Sequence, residues 1–418
     1  MIGPAEALAA FLRTRRLSRP GLSRAGFEAA QGRALARWLA RDLPQVAAYP
    51  AAPARLQDLP VTDKALLMAA FHRYNRAGIT AEQGWQALES GQSPPGLTIG
   101  ASTGTSGNRG LFVISEAERF RWLGTILAKT IPDLLIRPQR VAVVLPRDTR
   151  LYHAARRLPW LSLRFFDVTE GPDRWRADLE TWAPSVLIAP PRLLRHFAEG
   201  RFRLRPTRLF AAAETLDPPD RALIEGHFDR MLHQIYMATE GLFATTCPLG
   251  HLHLAEESVF FEYEPTGGGL VSPLVTAFRR ETQIMARYRM NDLLRLADAP
   301  CACGSALRHV TGIVGRMDDC FHLSGQLLTP DILRDAVLAA SPAITDFRLI
   351  QTGPDDLDLI LPPGLPDPAA GAACTALTAL LRGRGLSSRI TLIRAPLPLD
   401  PARKLRRVEC RLPPAGRA

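Results

Sequence analysis

"IGASTGTSGNRGLFVIS", residues 99–115, places Ser102, Thr103, Gly104, Thr105, Ser106 and Gly107 in succession, directly before an apolar run. Residues this small and polar cannot build a core. They can turn the backbone tightly and present N–H and O–H donors to an oxygen-rich ligand, of which a phosphate chain is the best candidate. No Gly-Lys-Ser/Thr closes the loop, so it is not a Walker P-loop. A solvated Ser/Gly loop would look similar, and the rest of the chain has to decide.

On the C-terminal side of this loop, short β-rich runs alternate with stretches of helical apolar spacing. The runs are "RVAVVLP" (140–146), "SLRFFDV" (162–168), "PSVLIAPP" (184–191), "RLFAAAE" (208–214) and "HQIYMATE" (233–240), with helical spacing at 172–183 and 217–231. This alternation predicts an α/β sheet with crossover helices. Residues 1–90 read as helical. Beyond about 255 the pattern turns hairpin-like, with glycines 267–269 at a turn and "MARYRMNDLLRLAD" as a further strand-rich run. Past "GRMDD" the composition shifts again. One helix (330–340), a strand pair, a second helix (367–383) and the strand "RITLIRAP" form a small α+β unit. The expected division is 1–315 and 316–418.

The 418 residues suffice for more than one domain. No apolar stretch reaches the ~18 residues of a membrane helix, and the N-terminal segment lacks the apolar centre of a secretory signal. A cytoplasmic protein without a membrane partner is expected. The net charge is +11, which raises nucleic acid as a partner. The arginines are scattered without a basic run or interleaved aromatics, so an anionic small molecule is preferred over nucleic acid. Lysine is rare: Lys64, Lys129 and Lys404 are the only ones. Six cysteines are too few for a disulfide scaffold in a chain of this length, and Cys301-Ala302-Cys303 points to a metal.

Four further motifs carry chemistry. "QIYMATEG" (234–241) ends a β-rich run in Thr239-Glu240, where a carboxylate at the mouth of a sheet would hold magnesium beside phosphates; a helix N-cap is the alternative. "YRMNDLLRL" (288–296) sets Asp292 among apolar residues, where ribose hydroxyls or an internal arginine would pair it. "GIVGRMDDCFHLSGQLLTPDIL" (312–333) is a candidate hinge at the composition break. "LPLDPARKLRRV" (397–408) contains Lys404, a lysine where this chain otherwise uses arginine.

Together with "LPVTDKALL" (59–67), "AAAETL" (211–216) and "CACGSALRHVTGIVGRMDD" (301–319), these motifs resemble, in order and separation, the adenylate-forming superfamily of acyl-CoA ligases and adenylation domains. The phenylacetate-CoA ligase and coenzyme F390 synthetase-like branch is the nearest. The resemblance covers residue 55 onward. It implies a large N-terminal domain with mixed sheets and crossover helices, and a small mobile α+β C-terminal domain. It implies ATP, Mg2+ and a carboxylic acid, aromatic by preference, that is adenylated and passed to coenzyme A. Alternatives are a phenolic hydroxyl or carrier-protein thiol as acceptor, or a non-catalytic nucleotide-binding homologue. A homodimer stays open.

The resemblance also implies roles. Ser102 to Gly107 would wrap the β- and γ-phosphates, Thr239 and Glu240 would hold phosphate and magnesium, and Asp292 would take the ribose. Ala213 and Glu214 would lie beside adenine, with Tyr236 and Arg316 in the nucleotide set. Lys404 would bridge the acid and the α-phosphate, and Asp318 would be the hinge. Met237, Phe120 and Trp122 are candidates for the acyl pocket. The chain departs from the pattern at Asn108-Arg109-Gly110, at Met237, at Asn291 and at Arg403. Some members of this branch carry zinc. Cys247, His253, Cys301 and Cys303 would make a closed, structural Cys3His site. His251 is the competing ligand, since strand alternation puts it on the same face as His253.

Overall fold

The run Val141–Val144 is apolar on both sides of the pleat, the pattern of a parallel strand covered on two faces. The computed structural model, which describes residues 2–49, 53–102, 109–145, 160–397 and 406–412, shows that arrangement. Strands β1 (Leu97–Ala101) and β2 (Leu111–Ser115) pair as an antiparallel hairpin. Strands β3 (Gln139–Leu145), β4 (Leu161–Asp167), β5 (Val186–Ala189), β6 (Arg208–Ala212) and β7 (Leu232–Ala238) form a parallel array in the order β4-β3-β5-β6-β7. Strands β8 (Gly241–Thr246) and β9 (Leu252–Leu254) extend it antiparallel.

The crossover helices Pro172–Trp182, Pro191–Glu199 and Pro218–Phe228 each start with proline in the first turn, where its missing N–H costs nothing. Two of them end on left-handed residues, Ala183 and Asp229. They bury Leu179, Leu193, Phe197, Ile224 and Phe228 against Ala142, Val144, Leu187, Leu209 and Ala211 of the sheet. The opposite face, Val141, Val143, Val186, Phe210, Ala212 and Ile235, packs with helices Ile2–Ser18 and Glu116–Thr130. Those two helices approach closely. A methyl group on Gly124 would meet the Ala7 carbonyl oxygen at 2.0 Å.

Phe120 is fully buried in this core. That corrects its expected place in an acyl pocket; Trp122 and Met237 lie partly buried against the same cluster. The hairpin Phe260–Gly267 to Leu270–Thr276 turns through Gly267, Gly268 and Gly269, all with positive φ. "MARYRMNDLLRLAD" yields only the short strands Tyr288–Arg289 and Asp292–Leu296. Residues 1–90 hold the helices Ile2–Ser18, Arg24–Arg41, Lys64–Ala69 and Ala81–Glu89.

The chain divides into two compact units. The first holds the residues up to Met290 and Leu296–Thr311; the second holds Asn291–Arg295 and the described residues from Gly312 onward. Within the second, a four-stranded sheet runs Arg389–Arg394, Asp356–Leu361, Arg348–Gln351, Val408–Cys410. Helices Pro330–Ala340 and Asp367–Arg382 contribute to its separate core, around Leu333, Val337, Phe347, Leu359 and Leu377. No helix among the described residues is long and apolar enough to cross a membrane.

Candidate active site and cysteine–histidine cluster

The hydroxyl-rich loop sits on a firm stem. At its neck the Ser102 N–H donates to the Gly110 carbonyl, and the Gly110 N–H donates to Ser102 Oγ, each at 2.8 Å. Arg109 lies over the Trp85 ring at 5.0 Å and donates through Nε to the Ser102 carbonyl at 3.3 Å. Thr103, Gly104, Thr105, Ser106 and Gly107 fall outside the described residues, as does Lys404.

Strand β2 runs straight into the helix Glu116–Thr130 through a capping box, in which Ser115 and Glu118 satisfy each other's backbone. Glu118 also accepts from the Glu281 N–H at 2.6 Å and the Thr282 N–H at 3.0 Å. Gln283 Oε1 accepts from the Val113 N–H at 2.9 Å. Burial works to raise the Glu118 pKa, but the hydrogen bonds from Ser115, Thr282 and Glu281 outweigh it and hold the carboxyl below its ordinary value.

Thr239 and Glu240 are not a helix N-cap. They form the two-residue turn between β7 and β8, where the sheet passes from parallel to antiparallel pairing, with Ala238 opposite Gly241. The Tyr288 hydroxyl donates to Glu240 Oε1 at 3.0 Å, and Arg280 Nη2 donates to the Thr239 carbonyl at 3.1 Å. Burial lowers the pKa of the Arg280 guanidinium, while the charges of Glu118 and Glu240 pull it back up. Thr239, Glu240, Tyr288, Gln283, Met285, Lys64, Met68 and Gly110 line one small cavity. The structure therefore brings the turn and the neck of the loop together.

The other nucleotide candidates are placed as follows. Ala213 is exposed with a φ of 70°, and the Glu214 carboxylate, 2% exposed, turns inward to Arg192 at 2.9 Å. Its side chain is thus committed to an internal ion pair, and Ala213 is the exposed residue at this point. Tyr236 packs its ring 5.5 Å from Phe243, and β7 is irregular between Tyr236 and Met237. Asp292 opens its strand half-buried in the second unit. There too Asn291 Nδ2 donates to Asp318 at 2.6 Å, and the Asp318 N–H donates to Asn291 Oδ1 at 3.3 Å. Arg316 is exposed. Next to this candidate hinge, Asp319 is buried and paired with Arg406.

Among the described residues, Cys247, His253, Cys301 and Cys303 place one ligand atom each within 4.8 Å of the others. Four atoms around a zinc ion with Zn–S of ~2.3 Å stand about 3.8 Å apart. The Cys247–Cys301 sulfur separation is 3.9 Å, and His253 Nε2 lies 3.4 Å from Cys303 Sγ. His251 Nδ1 is only 2.9 Å from Cys301 Sγ. That is too short for two ligands of one ion and places His251 against Cys301 as a close hydrogen-bond partner. The other nitrogen of His253 meets the Leu307 carbonyl at 2.9 Å, fixing the ring.

Burial holds His253 neutral, with its pKa pushed down to about 4. Burial, and then the neighbouring Cys301 and Cys247, push Cys303 up to about 12. Three sulfurs this close cannot all ionise without a cation among them. The donor set fits a tetrahedral dication with His253 as the ligand and His251 behind Cys301.

Lys64, Gln283, Arg280 and Tyr288 were not legible as site residues. For Lys64 the signals were the rarity of lysine and its place in "LPVTDKALL" (59–67), neither of which gave it a role. Lys129, by contrast, is a buried ion-pair partner of Glu257 at 3.0 Å.

No family model matches the chain, and no curated protein matches it. Solved structures do. A 2-hydroxyisobutyryl-CoA ligase in the postadenylation state aligns with a TM-score of 0.71 at 18% identity, over 95% of this chain and 92% of that one. The amide bond synthetase McbA from Marinactinospora thermotolerans aligns at 0.56 and 14%, over 75% and 68%. The anthranilate CoA ligase AuaEII in complex with anthranoyl-AMP aligns at 0.52 and 14%, over 73% and 64%. The chain has the fold of the adenylate-forming ligases.

Proposed function

We propose that the protein is an ATP-dependent acid–thiol ligase that adenylates a carboxylic acid and transfers the acyl group to coenzyme A. One observation carries this reading. The neck of a hydroxyl- and glycine-rich loop and a Thr-Glu turn at the parallel-to-antiparallel switch of the sheet share one cavity, in a fold shared with enzymes of that chemistry.

Carboxylate is a poor electrophile, so joining it to a thiol requires a leaving group. The acid attacks the α-phosphorus of ATP, pyrophosphate departs, and the acyl-adenylate then loses AMP to the incoming thiol. The protein positions the groups and neutralises charge. Ser102 to Gly107 wrap the terminal phosphates, and the Thr239 hydroxyl adds a donor. One carboxylate steadied by a tyrosine, next to phosphate oxygens, suits a magnesium ion, which usually takes one or two carboxylates plus substrate phosphates. Glu240 would hold it, and it would supply neutralisation of the triphosphate. Asp292 takes the ribose hydroxyls, with Tyr236 and Arg316 in the same nucleotide set. The backbone at Ala213 and Glu214 lies beside the base. Lys404 bridges the acid and the α-phosphate, where a compact ammonium suits two oxygens at once. The smaller unit, hinged at Asp318, withdraws it before thiolysis. Cys247, His253, Cys301 and Cys303 would hold a structural zinc.

The resemblance to phenylacetate-CoA ligases supports an aryl acid, and the solved anthranilate ligase has the same fold. The test is a pyrophosphate-exchange screen over aryl and aliphatic acids, followed by AMP release with and without coenzyme A. Acid-dependent exchange with coenzyme A-dependent AMP release is expected. Stable adenylated product in the presence of coenzyme A would move the acceptor to a hydroxyl or a carrier-protein thiol. ATP binding with no exchange for any acid would overturn the reading.

A further inference from the structure

We propose that Lys64 is a triphosphate ligand of this site, donating its ammonium to the β- and γ-phosphates; this rests on the reading of the cavity as the phosphate end of a nucleotide site.

Three independent features place it there. First, the chain around Thr62 is stitched to the strand that carries Tyr288. Thr62 bridges Tyr288, with the Thr62 N–H on the Arg287 carbonyl at 3.1 Å and the Arg289 N–H on the Thr62 carbonyl at 2.8 Å. Tyr288 is the residue that holds Glu240. The pairing that steadies the carboxylate therefore also fixes the segment entering the short helix Lys64–Ala69, whose first turn is capped by Asp63.

Second, the lysine stem crosses the neck of the hydroxyl-rich loop. A methyl group placed on Gly110 would sit 3.0 Å from Lys64 Cε and 3.8 Å from Nζ. Glycine at this position leaves room for the stem, and the ammonium lies where the loop returns to the sheet. Third, Lys64 and Glu240 line the same small cavity, together with Gly110 at the neck of the loop, so the lysine and the carboxylate that would hold magnesium border one space.

Charge supports the assignment. ATP brings four negative charges, and one magnesium ion offsets two of them. Within residues 102–110 the only cationic side chain is Arg109, and it is held on Trp85 and the Ser102 carbonyl. A compact ammonium with three rotatable donors suits a phosphate chain that changes shape when pyrophosphate leaves. This lysine comes from the polypeptide upstream of the loop.

The test compares ATP with AMP, because AMP lacks the phosphates that Lys64 would touch. Lys64→Met keeps the stem and removes the charge. Titration of the wild-type protein and this variant with Mg·ATP and with AMP should show ATP affinity falling about tenfold or more, with AMP affinity within about twofold; the pyrophosphate KM in exchange should rise with it. A melting curve matched to wild type separates a folded variant from a misfolded one, and Lys64→Gln takes the place of Lys64→Met if the latter misfolds; the affinities are compared in the folded variant. Equal loss of ATP and AMP, or no loss of either, overturns the role of Lys64 while wild-type ATP binding and exchange leave the ligase reading standing. A wild-type protein that binds neither nucleotide overturns both.

Discussion

The two ends of strand β8, Gly241–Thr246, carry opposite kinds of site. At its start the Thr239-Glu240 turn borders a small cavity lined also by Lys64, Gln283 and Tyr288. Just past its end, Cys247 joins His253, Cys301 and Cys303 in a donor set that closes on itself. Six residues of extended chain keep them about 20 Å apart. The contrast separates two uses of one sheet. An open arrangement leaves coordination positions for substrate, and a closed one leaves none.

The largest expected effect lies at the open end. Glu240→Gln keeps the hydrogen bond from Tyr288 and removes the charge. Acid-dependent pyrophosphate exchange should fall about a hundredfold or more, with thermal stability nearly unchanged. Exchange within a few-fold of wild type would mean that this carboxylate does not hold the metal.

The closed end should answer in the opposite sense. Cys301→Ser is expected to release bound zinc, read by elemental analysis. It should destabilise the fold by about 2 kcal/mol, roughly 5 °C in Tm, while exchange per folded molecule persists. His251→Ala should keep the zinc but weaken it about tenfold. Equal zinc loss in both variants would erase the distinction between ligand and hydrogen-bond partner.

A smaller effect tests the mounting between the loop stem and the cavity. The Glu118 carboxyl is held below its unfolded value, near 4.5, by the hydrogen bonds it accepts. Its contribution is therefore present above pH 4.5 and is lost as pH falls through the depressed folded value. Glu118→Gln should cost about 2 kcal/mol at neutral pH and flatten the acid limb of stability, measured by denaturant unfolding across pH. An unchanged limb would mean that the carboxylate is not charged in the fold.

What the sequence revealed follows from how local each signal is. The parallel strands were readable because both faces of Val141–Val144 are apolar, and two crossover helices because apolar residues recur at helical spacing over 172–183 and 217–231; the helix Pro191–Glu199 was not read. Thr239 and Glu240 were readable as a pair, but their turn was not, since a helix cap and a two-residue hairpin use the same residue types. Strand alternation could not choose between His251 and His253, because it puts both on one face; only the 2.9 and 3.4 Å separations distinguish them. Phe120 was misassigned because an aromatic on an amphipathic helix looks alike in a pocket and in a core. Lys64 and Tyr288 meet through a bridge between chain segments far apart in sequence, and no local pattern records such a meeting.

The tight crossing of the first helix over Gly124 reaches further than the core it fills. Helix Glu116–Thr130 begins where the second stem strand of the loop ends, and its underside rests on Ala7, Phe11 and their neighbours. Removing the first helix would strip that support. The penalty would surface a hundred residues downstream, as slack in the stem Leu111–Ser115 that carries the hydroxyl-rich loop.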